Sequence, residues 1–147
     1  MRKFYLFIIN KEFSILNKKN PYDLYKQMET IKNLKKDEFY IAIKIYETLA
    51  NTIDKYKLNM KIYNNHKKSY YYTKYKNTHM INNYYKDEKS KLIINKCYLL
   101  LETNILKSAF LKDLINQDFF ACDFENKDYF WVDSLYSSWE IVKKIVQ

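Results

Sequence analysis

Apolar and polar positions along this chain follow two rhythms. Phe4-Tyr5-Leu6-Phe7-Ile8-Ile9 is an uninterrupted apolar run, and Lys3 to Asn10 therefore reads as a strand covered on both faces. Lys11 to Leu16 reads as a short helix or helical turn, broken by Asn17-Lys18-Lys19-Asn20. Asn20 then offers a cap and Pro21 a first helical residue. The helix they open runs to about Leu34, with Leu24, Met28 and Ile31 on one face. Asp37 can start the next helical stretch. There Phe39, Ile43, Tyr46 and Leu49, then Ile53, Tyr56, Met60 and Tyr63, recur at helical spacing, with a break expected near Asn51-Thr52. From Asn64 to Lys89 the signals conflict, since Tyr70-Tyr71-Tyr72 favours a strand and the surrounding Asn and Lys favour loop.

Lys91 to Asn95 and Cys97 to Leu101 read as paired strands around an Asn95-Lys96 turn. Asn104 to Ile115 reads as a helix whose apolar face holds Ile105, Ala109, Leu111 and Leu114-Ile115. Phe119 to Cys122 and Tyr129 to Val132 are two short strands joined across Glu125-Asn126-Lys127-Asp128. Phe120, Phe124 and Trp131 are expected in the core there, with Asp123 closing the turn. Asp133 then caps a last helix, Leu135 to Ile145. This order predicts an α+β fold: a single domain over residues 1–147, with one mixed sheet of about five short strands flanked by helices.

Composition narrows the chemistry. The 147 residues contain no glycine and one proline. Phosphate-cradling Walker loops, dinucleotide-binding turns, nucleophile elbows and EF-hand loops all need Gly, so none of them is available. Turns are expected to use Asn instead, at Asn64-Asn65, Asn82-Asn83, Asn95-Lys96 and Asn126-Lys127. The basic, apolar start resembles a signal peptide, but its apolar run is short and Lys11-Glu12 follows without a cleavage site. No apolar stretch is long enough to span a membrane. A cytoplasmic protein is expected. Cys97 and Cys122 are too few for a disulfide framework or zinc site and read as small buried thiols.

The net charge of +9 raises the question of nucleic acid. Arg2 is the only arginine among 26 basic residues, and arginine is the preferred reader of bases. Sequence-specific DNA recognition is therefore disfavoured. The excess is local: Asp54 to Lys91 holds 10 lysines against Asp54, Asp87 and Glu88. Tyrosines are interleaved with those lysines, as in single-strand binders, although a solvated and partly packed face has the same composition.

Other constellations point to bland roles. Asp123, Glu125 and Asp128 surround a turn and read as solvating and capping carboxylates rather than a metal site. His66 and His79 read as surface histidines. No Ser, Cys or His is ordered into a triad. We expect no enzyme activity, no cofactor and no metal. Phe13 with Ile15-Leu16, and Tyr22, Tyr25 and Tyr46, exceed what sheet-covering helices need and are candidate interface anchors, or else core.

Phe120, Ala121, Asp123, Phe124, Tyr129 and Trp131, together with an aromatic first strand followed by Lys11-Glu12-Phe13, resemble the SirA-type sporulation inhibitors of replication. The resemblance implies a helix-flanked sheet in a non-enzymatic protein that binds the N-terminal domain of the initiator DnaA, helix on helix, and blocks replication initiation at sporulation. Carried over, the partner-contacting first helix maps to Phe13, Ser14 and Asn17. Phe13 matches, Asn17 stands where the family has tyrosine, and Ser14 replaces alanine. A monomer is expected. The alternative is a small basic nucleic-acid-binding accessory protein that uses the Lys/Tyr-rich middle segment.

Overall fold

The computed structural model describes residues 1–33 and 49–136, apart from the side chains of Leu16 and Asn17. The helical expectation over residues 37–48 and most of the expected C-terminal helix lie outside the described residues.

Strand β1 (Arg2–Ile9) leads into helix α1 (Lys11–Asn17) and then α2 (Pro21–Lys32). After the undescribed stretch come β2 (Ala50–Asn51) and helix α3 (Lys55–His66). Strands β3 (Tyr72–Tyr75), β4 (Thr78–Asn83), β5 (Glu88–Ile94) and β6 (Leu99–Thr103) follow in succession. A 3-10 helix (Ala109–Leu114), strands β7 (Phe119–Asp123) and β8 (Asp128–Trp131), and a second 3-10 turn (Val132–Leu135) complete the described chain.

These strands form one eight-stranded sheet in the order β3-β4-β5-β6-β1-β7-β8, with β2 beside the end of β1. Every pairing among the described strands is antiparallel. The expectation of a mixed sheet of about five short strands is therefore corrected in both number and pairing. Short turns join β3 to β4, β4 to β5, β5 to β6 and β7 to β8, and short turns can connect only antiparallel neighbours. The additional strands are β2, β3 and β4. The pair Ala50–Asn51 sits inside what reads as one helical stretch, broken close to the expected place. In β4 the inward positions are His79, Ile81 and Asn83, so only one of three is apolar and the strand rhythm is muted.

The remaining differences have local causes. Residues 104–107 are not helical, because Asn104 is tied back to β5: its side chain accepts from Lys89 N at 2.8 Å and donates to Asp87 O at 2.8 Å. Glu88, buried on β5, accepts from Ser108 Oγ at 2.8 Å and from Ala109 N, which leaves only Ala109–Leu114 free to coil. Asn64 and Asn65 lie within α3 rather than in a turn. Among the described residues left-handed backbone falls at Lys76, Asp87, Asn116, Asp118 and Lys127, so Asn supplies just one of these five positions. Cys122 is buried as expected, whereas Cys97 is half-exposed.

Both faces of the sheet carry apolar clusters. Phe4, Leu6, Leu92, Leu101, Phe119 and Ala121 pack with Leu58 and Ile62 of α3 and with Phe110 and Leu114. On the other face Phe7, Ile9, Phe120, Cys122 and Trp131 pack with Leu24, Tyr25 and Met28 of α2. The alternation along β1 and β7 places consecutive residues in opposite clusters, which is why these central strands are apolar throughout.

Candidate partner-binding surface

The site is built outward from β1. Asn10 ends the strand, and its side-chain oxygen accepts from Glu12 N at 3.1 Å, capping α1. Ser14 is buried, and its hydroxyl donates to Lys11 O at 3.1 Å. Phe13 is half-buried against the cluster that contains Leu24, Tyr25 and Trp131. Lys11, Glu12 and Ile15 face solvent, and Ile15 is 74% exposed. Beyond the helix end, Lys18 Nζ lies 2.8 Å from Asp118 Oδ1 and 5.0 Å above the Trp131 ring, which ties α1 to the start of β7 and to β8.

Helix α2 supports α1 from the side. Its Tyr25 is buried and stacks on Tyr129 with ring centroids 4.7 Å apart, and its hydroxyl donates to Glu29 Oε2 at 3.0 Å. Burial, reinforced by the Glu29 carboxylate, pushes the Tyr25 phenol well above its ordinary value, so it stays a neutral donor. Tyr22 is half-exposed beside Tyr129, with Lys26 Nζ 5.6 Å from its ring.

Of the candidate anchors, Ile15 and Tyr22 are therefore exposed, Phe13 is on the margin, and Tyr25 is core. Of the three residues mapped from the family, Phe13 reaches the edge of the surface and Ser14 points inward. The Asn17 side chain, like those of Leu16 and Tyr46, lies outside the described residues.

The turn carboxylates are organised by Arg2. Its Nε donates to Asp123 Oδ2 at 2.9 Å and its Nη2 to Asp128 Oδ2 at 2.7 Å, while the guanidinium sits 4.6 Å from the Phe4 ring centroid. Burial raises the Asp123 carboxyl, but hydrogen bonds from the Asn126 side chain and backbone, with those from Arg2, outweigh it and hold the group below its ordinary value. Asp123 thus closes the turn as expected.

The histidines are not surface groups. His79 is fully buried on β4. Its Nε2 lies 2.7 Å from Asn59 Oδ1, which can only accept, so Nε2 carries the proton and Nδ1 accepts from Tyr72 OH at 2.6 Å. Burial, helped by the nearby Lys74 and His66 charges, lowers His79 to about 4, and it is neutral at physiological pH. His66 Nε2 lies 2.6 Å from Asp113 Oδ2, and Asn65 donates to Asp113 Oδ1 at 2.7 Å. A chain of polar contacts thus joins α3 to the β3–β4 hairpin and to the first 3-10 helix. Its partners lie up to 48 positions apart, so no local spacing in the sequence announces it.

Among the described residues no helix is long and apolar enough to cross a membrane. No curated protein matches the chain. The family model described as sporulation inhibitor of replication protein SirA matches residues 2–136. That match spans β1, the supporting α1 and α2, the Arg2 clamp and the β7–β8 hairpin, and the chain belongs to the SirA family of sporulation inhibitors of replication.

Proposed function

We propose that this protein inhibits replication initiation by docking α1 on the N-terminal domain of DnaA, helix on helix, as a monomer. Family membership supports the inhibitory role. The observation that carries the surface is Ile15, 74% exposed on a helix that its neighbour Ser14, buried, anchors to the body of the protein. A large aliphatic residue held out on a fixed helix, flanked by half-exposed aromatics, is suited to fill a pocket on a partner helix. In this reading Ile15 makes the central contact with the initiator, the positions of Phe13 and Asn17 on the other side of α1 border it, Ser14 sets the seat of α1 on the sheet, and Tyr22 extends the contact from α2. Occupation of that face withholds the initiator from productive assembly, and no chemical step is needed.

Isothermal titration of the purified DnaA N-terminal domain into the full chain tests this. Ile15→Asp should weaken binding at least 30-fold without lowering the melting temperature, because Ile15 contributes little to the core. Equal affinity of wild type and Ile15→Asp would remove α1 from the interface.

A further inference from the structure

At the β3 end of the sheet, away from α1, lies a surface pocket of about 390 Å³. Lys55, Tyr56 and Asn59 of α3 form one side. Lys74 of β3, with Lys76 and Asn77 of the β3–β4 turn, forms the other. Among the described residues no acidic side chain lines it. The nearest acid in sequence, Asp54, is occupied as the cap of α3, where it accepts from Lys57 N at 3.1 Å. Among the described residues neither Lys55 nor Lys74 has a carboxylate partner, and Lys76 Nζ rests 5.4 Å from the Tyr75 ring.

The floor is rigid and polar. Asn59 Nδ2 donates to Asn77 Oδ1 at 3.0 Å, and the Asn59 oxygen is held by His79. One flat aromatic face stands out among the lining residues, Tyr56 at 79% exposure. The lysine-rich segment of the sequence therefore folds onto one end of the molecule as α3 and β3–β5. The Asp123–Asp128 turn, whose two carboxylates share Arg2, lies near the other end of the sheet order.

We propose that this pocket binds a single-stranded nucleic acid, with phosphates on Lys55, Lys74 and Lys76 and a base stacked on Tyr56. Ammonium groups without acidic partners are matched by a linear polyanion, and exposed tyrosine rings accept any base face. The sole arginine is already committed to two carboxylates, so no planar fork is left to read base edges. Recognition is therefore tolerant of sequence. The site is separate from α1, and its success or failure leaves the DnaA reading untouched.

Fluorescence anisotropy of a 20-nucleotide fluorescein-labelled oligo-dT with the full chain, from 25 to 300 mM KCl, tests the proposal. Saturable binding is expected, with log K falling linearly against log salt at a slope of about −2, as three phosphate contacts on a single strand require. A mixed-sequence strand of the same length should bind equally well. The triple variant Lys55→Glu, Lys74→Glu, Lys76→Glu changes exposed residues only and should bind at least tenfold more weakly. Tyr56→Ala should weaken binding and leave the salt slope unchanged. Ile15→Asp should bind the oligonucleotide like wild type. Absence of binding at 25 mM KCl, full binding by the folded triple variant, or tighter binding of a duplex than of the single strand would each overturn the assignment.

Discussion

Arg2 Nε donates to Asp123 Oδ2 at 2.9 Å, joining residues 121 positions apart in the chain. The second arm of the same guanidinium reaches Asp128, so one side chain locks the start of β1 to both ends of the β7–β8 turn. Asp123 is 1% exposed, whereas Arg2 is 36% exposed. Arg2→Met would leave the buried carboxylate without its cation. The expected loss is about 2 kcal/mol in urea unfolding, less than for a fully buried pair because Arg2 is partly solvated. The loss should shrink at low pH as Asp123 protonates in the variant.

His79 sets a pH dependence of the opposite origin. Its folded value of about 4 lies below the ordinary 6.5, so the unfolded chain takes up the proton first as pH falls. Stability from the neutral ring is complete above pH 6.5, declines between 6.5 and 4, and is level below that. The decline should amount to about 3 kcal/mol, following from the shift itself. Subtracting the stability profile of His79→Gln from that of wild type isolates it. A flat difference between pH 7 and 4 would show that His79 is not held neutral.

Phe13 lies on the boundary between core and surface, and its replacement should register in two measurements. Phe13→Ala should weaken binding to the DnaA N-terminal domain by about 2 kcal/mol. It should also lower fold stability by about 1–2 kcal/mol, since half its ring packs on the α2 cluster. Comparison with Ile15→Asp, which should spare stability, separates contact from support.

A chain without glycine carries its left-handed backbone on other residues. Lys127 has φ 54° in the β7–β8 turn, where a side chain crowds the backbone. Lys127→Gly should raise stability by about 0.5 kcal/mol, relief of that crowding exceeding the added freedom of the unfolded chain. A thermal unfolding comparison is sufficient, and a lower melting temperature would contradict it.

Much of the local structure is written in the order of residues. The uninterrupted apolar run of β1, the start of α2 at Pro21 and the two short strands around residues 119–131 are signals a few residues long, and each holds in the fold, although the Asn20 side chain donates to Asp23 and does not cap the helix. The family pattern at the two ends of the chain is local in the same way. Tertiary structure decided the rest. Tyr5 pairs with Leu100 on one side and Cys122 on the other, so β1 runs through the interior of an antiparallel sheet. A strand's own sequence shows which residues alternate, but not which distant ladder will accept its hydrogen bonds. The burial of His79, the anchoring of Ser14 and the exposure of Ile15 follow from that choice of neighbours. The same holds for the lysines: composition counts them, but only the packing of α3 beside the β3–β4 hairpin brings Lys55, Lys74 and Lys76 around one pocket. Side-chain types are local facts, whereas solvent access depends on what the rest of the chain covers.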